Sequence, residues 1–80
     1  MYYTYILYSK QFDRYYIGQS EDITSRLERH NKGIVPSTKA YIPWELVYFE
    51  IYATRSLAGK REKEIKAKKS RKFIESLIGK

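Results

Sequence analysis

The sequence contains no cysteine, which excludes disulfide bonds, zinc–thiolate sites and thiol nucleophiles. No stretch approaches the 18 consecutive apolar residues of a transmembrane helix. The N-terminal segment MYYTYILYSK has neither a basic region ahead of its apolar run nor a small-residue cleavage site, so it does not read as a signal peptide. From these absences we expect an intracellular, cytoplasmic protein that does not associate with a membrane.

Acidic residues are few compared with basic ones. Nine Asp and Glu face sixteen Lys and Arg, which gives a net charge of +7 at pH 7. Such an excess favours a polyanionic partner, most often nucleic acid. A protein that is simply basic is the alternative, because net charge informs association and not fold.

The chain is short but rich in tyrosine. Its 80 residues predict a single domain, residues 1–80, with a small core. Tyrosine accounts for nine residues, and its large apolar ring with a polar tip can serve both a core and a polar surface. No repeat, low-complexity tract or linker interrupts the sequence.

Three segments rich in β-branched and aromatic residues predict strands, at 2–8, 15–19 and 45–52. Between and after them, three segments predict helices. Ser20 is the expected cap of the first helix, with Lys32-Gly33 as its stop. The order β-β-α-β-α-α predicts an α+β fold, in which about three helices flank a small, mainly antiparallel sheet of three strands.

The two later helices have their own start signals. Thr54 or Ser56 can open the second helix, and Ser70 is the expected cap of a final helix over residues 71–78. Glu62 lies on the second helix one turn from apolar residues, so it is expected to border the core.

The predicted hairpin brings two tyrosines together. A loop over residues 9–14 pairs Tyr8 with Tyr15, which places Tyr5 and Tyr16 on one face of the sheet as diagonal neighbours. Gly18 then lies opposite Tyr5. We expect this glycine to leave open space beside the phenol ring, which an approaching ligand would need.

Arg26 and His30 are four residues apart on the first predicted helix, so they share one side of it. Arginine offers a planar fork of donors that matches phosphate. Each candidate also has an ordinary explanation: the tyrosines as sheet packing, Arg26 as a solvated residue, His30 as a satisfied core residue, and Glu62 as the partner of a lysine one turn away.

The order of these residues resembles that of a known nuclease family. A YTYIL strand, a YIG motif, Arg26 ten residues after Tyr16, His30 four later and REKEIK at 61–66 are similar to the GIY-YIG nuclease domain. The resemblance covers nearly the whole chain and is greatest to small stand-alone members, which are similar to the N-terminal nuclease domain of the bacterial excision-repair incision subunit. Two positions depart from the family pattern: the first motif keeps only its tyrosine, and Lys69-Ser70-Arg71 stands where an asparagine often occurs.

The resemblance implies a metal-dependent endonuclease that cuts phosphodiester bonds. In this interpretation Glu62 binds one divalent ion, Mg²⁺ or Mn²⁺, since a single carboxylate with waters and substrate oxygens suits such ions. The substrate is expected to be DNA, in repair or recombination. No additional recognition domain is visible, so sequence specificity is expected to be low or supplied by a partner protein, and no pattern specifies an oligomeric state.

The same resemblance assigns roles to the remaining candidates. Tyr5 would accept a proton from the attacking water or orient that water, and nearby cations such as Arg26 would favour its phenolate form. Tyr16 and Arg26 would hold the scissile phosphate, and His30 would hydrogen-bond to phosphate or to a tyrosine. Lys39, in the PSTKAY loop, is a weaker candidate for a phosphate contact.

Two other functions are compatible with the composition. A basic binding module on the same fold would use the charge and the tyrosines without cutting. A structured RNA-binding protein of the ribosomal type would account for the charge, but it would leave the order of the tyrosines, the arginine and the glutamate unexplained.

Overall fold

The computed structural model describes residues 1–79 of the chain and confirms the predicted α+β order. The elements are β1 (Tyr2–Ser9), β2 (Arg14–Ser20), α1 (Ile23–Asn31), β3 (Glu45–Tyr52), α2 (Arg55–Lys68) and α3 (Arg71–Ile78). A short 3-10 helix, Lys39–Tyr41, interrupts the connection from α1 to β3. Among residues 1–79, no helix is both long enough and apolar enough to cross a bilayer.

The three strands form one antiparallel sheet in the order β2-β1-β3, with β1 in the centre. Tyr8 pairs with Tyr15 and Tyr5 pairs with Gly18, which confirms the predicted hairpin register. Because side chains alternate along a strand, this register places Tyr5 and Tyr16 on the same face of the sheet.

The start of α1 differs from the prediction. Asp22, rather than Ser20, is the N-cap, and its Oδ1 accepts a hydrogen bond of 3.0 Å from the backbone N–H of Ser25. Ser20 belongs to β2, where it pairs with Tyr3, so it cannot also be the N-cap residue of α1. Its hydroxyl oxygen instead accepts from the backbone N–H of Asp22 at 3.0 Å.

The remaining helix boundaries follow the sequence signals. Thr54 caps α2 and Ser70 caps α3, and each side chain accepts from a backbone N–H three residues later. Gly33 has a positive φ of 76° just after α1, a conformation that glycine adopts without steric cost.

The helices cover opposite faces of the sheet. The α1 face carries a buried cluster of Tyr5, Leu7 and Trp44, against which α1 and the segment after it pack. The α2–α3 face carries a second cluster, built on Ile6, Ile17 and Ile65. The candidate tyrosines therefore lie under α1, whereas Glu62 comes from the helix that covers the other face.

Candidate active site

Tyr5 lies at the centre of the α1 face and is only 1% exposed. Its ring leans across Gly18, where an added Cβ would stand 2.6 Å from the Tyr5 Oη and 2.7 Å from its Cζ. The predicted open space beside the ring is therefore wrong, because the tyrosine itself fills the space that the missing Cβ leaves. Gly18 permits the close approach of the phenol to the backbone of β2.

Tyr16 and His30 complete a group of rings around this point. The ring centroids of Tyr16 and His30 are 4.9 Å apart, and a Cβ on Gly18 would lie 3.2 Å from Tyr16 Cε2. The hydroxyl of Tyr5 lies 3.4 Å from His30 Nε2. The structure thus brings these three predicted site residues together.

The two candidates on α1 differ in their exposure. His30 is 1% exposed and belongs to the buried interior, whereas Arg26, one turn earlier, is exposed. Arg26 is still close enough to act on the site, because its guanidinium lowers the pKa of Tyr5. Arg26 is therefore an exposed cation whose charge favours the ionised form of the buried phenol.

Burial is the main factor that shifts the pKa values of Tyr5 and His30. Burial is the main cause that raises the pKa of Tyr5 to about 12, with smaller contributions from Tyr16 and Glu62. Arg26 lowers this pKa, as the sequence led us to expect, but burial outweighs its effect. Burial, followed by the charges of Arg26 and Arg29, lowers the pKa of His30. At neutral pH the site therefore holds a protonated phenol beside a neutral imidazole.

Glu62 lies on α2 with its side chain 21% exposed. Its Oε2 accepts a hydrogen bond of 2.6 Å from Lys66 Nζ, the i, i+4 pair that the sequence also allowed. The negative charge of Glu62 raises the pKa of Tyr5, so the carboxylate is close enough to act on the phenol.

A divalent ion is compatible with this single carboxylate. In the described part of the chain, no three His, Cys, Asp or Glu residues gather into a group that could enclose a metal. A zinc-type cage is therefore absent from residues 1–79. An exposed oxygen donor on its own suits Mg²⁺ or Mn²⁺, which retain water and bind substrate phosphate.

Lys39 lies exposed at the first position of the 3-10 helix. Its backbone N–H donates to the carbonyl oxygen of Val35 at 3.1 Å, which holds the backbone while the ammonium remains in solvent. The preceding residue, Thr38, is instead 1% exposed. Lys39 thus stands on the surface next to a residue that enters the site.

Thr38 is the functional candidate that sequence reasoning missed. Its Oγ1 lies 2.8 Å from His30 Nδ1. Trp44 holds this threonine in place by donating from Nε1 to the Thr38 carbonyl oxygen at 3.0 Å. No periodicity links Thr38 to His30, so the only signal was a small hydroxyl residue in the loop that follows the helix.

A basic groove of about 570 Å³ lies elsewhere, between the hairpin loop, α2 and α3. Lys69 and Ser70 line it, at the position where the family pattern often has asparagine, together with Arg14, Lys66 and Arg71. None of the predicted site residues lines this groove. It is a candidate surface for the nucleic-acid backbone rather than for chemistry.

All of the site residues described above lie in a segment that matches one known domain family. A family model described as the GIY-YIG catalytic domain matches residues 1–74. The chain belongs to the GIY-YIG family. Both sequence motifs, α1 and all of α2 lie within the matched segment.

This GIY-YIG protein is similar to several small UPF0213 proteins. The UPF0213 proteins of Staphylococcus aureus strains Mu3 and N315 are each 48% identical over 52 residues, which is 64% of this chain and 63% of theirs. The solution NMR structure of a UPF0213 protein from Bacillus halodurans is 30% identical, with a TM-score of 0.59. That match covers 98% of this chain and 83% of the Bacillus chain.

Proposed function

We propose that this GIY-YIG protein is a divalent-metal-dependent endonuclease that hydrolyses phosphodiester bonds in DNA, in repair or recombination in the cytoplasm. The observation that supports this most is the grouping of Tyr5, Tyr16 and His30 beside Gly18, with Arg26 close enough to lower the pKa of Tyr5. Sequence specificity is proposed to be low or supplied by a partner protein.

Arg26 and Tyr16 are proposed to bind the scissile phosphate. Arg26 is exposed and close enough to Tyr5 to lower its pKa, so a phosphate bound to Arg26 would lie near the phenol. Its planar fork can follow the additional charge that develops on the phosphate oxygens in the transition state. Lys39 is proposed to contact a phosphate further along the strand.

Tyr5 and His30 are proposed to move the proton of the attacking water. A phenol with a pKa of about 12 keeps its proton at neutral pH, so it can accept another only if its own proton leaves. His30 Nε2, 3.4 Å away, is the nearest described acceptor for it. One proton passes from water to the Tyr5 oxygen and one from Tyr5 to His30, while the water oxygen bonds to phosphorus. The P–O bond to the leaving oxygen breaks, and that oxygen takes a proton from solvent.

Glu62 is proposed to hold the divalent ion, together with substrate oxygens and water. When bound, such an ion would neutralise phosphate charge and polarise the P–O bonds. Lys66 would have to release the carboxylate, which its exposed and flexible side chain permits.

A non-catalytic nucleic-acid-binding module is the second candidate. It is favoured by the ion pair between Glu62 and Lys66 and by Lys69-Ser70-Arg71, which line a basic groove where the family often has asparagine. Such a module would bind nucleic acid and cut nothing.

A cleavage screen separates the two candidates. Labelled DNA and RNA in single-stranded, duplex and branched forms are incubated with Mg²⁺, Mn²⁺ or EDTA. We expect cutting that needs the metal and is lost in Glu62→Gln, which keeps the shape of the side chain and removes its charge.

Glu64→Gln is the matched control, because Glu64 lies on the same helix and pairs with Arg61 at 3.5 Å. It should cut like the wild type. Cleavage that persists in EDTA, or an active Glu62→Gln, would refute the metal assignment. Tight binding without cleavage of any substrate would favour the binding module.

A further inference from the structure

The environment of His30 contains a hydroxyl that nothing in the proposed chemistry uses. Thr38 is 1% exposed, and its Oγ1 lies 2.8 Å from His30 Nδ1, on the side of the ring opposite Tyr5. The same oxygen donates to the carbonyl oxygen of Val35 at 3.4 Å. Thr38 therefore connects the imidazole to the backbone.

Counting protons along this chain of contacts determines which nitrogen of His30 is protonated. A carbonyl oxygen can only accept, so the single hydroxyl proton of Thr38 points to Val35. The Thr38 oxygen then accepts from Nδ1–H of the imidazole. A neutral imidazole carries one N–H, so Nε2 is left with a lone pair.

The contacts on the other side of the ring agree with this assignment. The Tyr5 hydroxyl lies 3.4 Å from His30 Nε2 and keeps its proton at neutral pH, so that proton can be donated to the Nε2 lone pair. In the opposite tautomer, Nε2–H would donate to the Tyr5 oxygen, the phenol proton would lose its acceptor, and Thr38 would give up its bond to Val35. One direction of donation, from Tyr5 through His30 and Thr38 to the carbonyl oxygen of Val35, satisfies each of these groups.

We propose that Thr38 is a positioning residue that holds His30 as the Nδ1–H tautomer, with Nε2 free to accept the proton of Tyr5. The tautomer is a property of the free protein. Its consequence for catalysis rests on the proposed nuclease function.

The hydroxyl can be removed without disturbing the loop backbone. The backbone N–H of Thr38 donates to Val35 at 3.1 Å, and its carbonyl oxygen accepts from Trp44. Thr38→Val keeps these bonds and the shape of the side chain but deletes the oxygen. Thr38→Ser restores the oxygen, and thermal melting verifies that both variants fold.

The direct test is NMR of protein labelled with ¹⁵N-histidine, without metal or nucleic acid. The sequence has a single histidine, so the imidazole signals need no assignment. We expect a pyrrole-type Nδ1 and a pyridine-type Nε2 in the wild type and in Thr38→Ser, and a mixture of tautomers in Thr38→Val. A protonated Nε2 in the wild type, or an unchanged tautomer in Thr38→Val, would overturn the proposal.

Single-turnover cleavage tests the consequence. Partners that orient a functional imidazole typically contribute about 10–100-fold in activity, so Thr38→Val should be slower by about that factor and Thr38→Ser should recover most of the rate. Equal rates in all three proteins would show that Thr38 does not position His30 for catalysis. If the wild type cuts nothing, the nuclease function fails, while the NMR result still decides the tautomer.

Discussion

The two faces of the sheet share the same three strands but bury different chemistry. On the α2–α3 face, the buried cluster is aliphatic and consists of Ile6, Ile17 and Ile65. On the α1 face, a phenol and an imidazole lie at the same depth, and they need one another as hydrogen-bonding partners. The aliphatic face can therefore tolerate changes of shape that keep its volume, whereas the α1 face depends on each polar partner.

Two carboxylates near α2 differ in how firmly they are held. Glu50 accepts hydrogen bonds from the hydroxyls of Tyr48 and Tyr52, and Arg61 donates to both of its oxygens, at 2.9 and 3.2 Å. Glu62 is paired with an exposed lysine. Glu50 is thus committed to joining α2 to the sheet, and Glu62 is the carboxylate that can exchange its partner for a metal ion.

The largest expected effect comes from one oxygen atom on the α1 face. Tyr5→Phe removes the hydroxyl and keeps the ring, so binding should change little. Because His30 Nε2 then loses its buried partner, the free energy of unfolding should fall by about 1–3 kcal/mol. A group that transfers a proton in the transition state typically contributes about 10²–10⁴ in rate, and single-turnover cleavage should fall by about that factor.

Tyr8→Phe is the matched control, since it removes the same atom from the other face of β1, where the hydroxyl donates to Asp13 at 2.8 Å. It should cut at the wild-type rate. Equal rates in both variants and the wild type would leave Tyr5 as a packing residue.

The next effect concerns the α2–α3 face and should appear in stability rather than chemistry. Ile65→Ala truncates a fully buried side chain, and such changes typically lower the free energy of unfolding by about 2–5 kcal/mol. Urea unfolding measures this loss. Leu57→Ala, on the same helix but 48% exposed, should lose much less. If Ile65→Ala loses no more stability than Leu57→Ala, the buried packing of this face is contradicted.

Gly18→Ala should disturb the site with a moderate loss of stability. The added Cβ would collide with the Tyr5 ring, and overpacking of this kind typically costs about 1–3 kcal/mol. Cleavage should fall as well, because the phenol is displaced. Gly59→Ala is the opposite case: its Cβ would meet nothing within 4 Å, so it should stabilise the helix by about 0.5–1 kcal/mol. A neutral Gly18→Ala would contradict the close contact.

The smallest expected effect is the loss of stability at low pH. It should involve His30 on the α1 face first and Glu50 on the α2–α3 face at lower pH. The pKa of His30 is lowered by burial, so its contribution to stability is present above 6.5 and is lost as pH falls below that value. The pKa of Glu50 is also lowered, since the bonds from Arg61 and the tyrosines outweigh its burial; its contribution is lost only as pH falls below 4.5.

Urea unfolding between pH 8 and pH 3 measures both losses. His30→Asn should remove the first of them and Glu50→Gln the second. A stability that rises between pH 7 and pH 5 would contradict the sign of the His30 shift.

Local signals in the sequence were sufficient to predict the pairing of the first two strands and most of the helix caps. Alternation along the strands and the length of the hairpin loop predicted the pairing of Tyr8 with Tyr15, and Thr54 and Ser70 were recognisable as caps. Ser20 was misassigned because serine and aspartate both cap helices, and pairing of Ser20 with Tyr3 extended β2 through it. These features depend on neighbours close in sequence or directly across a strand, which is why sequence patterns report them.

The sequence by itself therefore determined the order of elements, the hairpin register and the face shared by Tyr5 and Tyr16. Only the tertiary structure decided that the Tyr5 ring covers Gly18, that burial outweighs Arg26 in setting the pKa of Tyr5, and that Thr38 meets His30. Desolvation and hydrogen-bond direction depend on every group packed around an atom, and here those groups come from a strand, a helix and a loop that the chain joins only on folding.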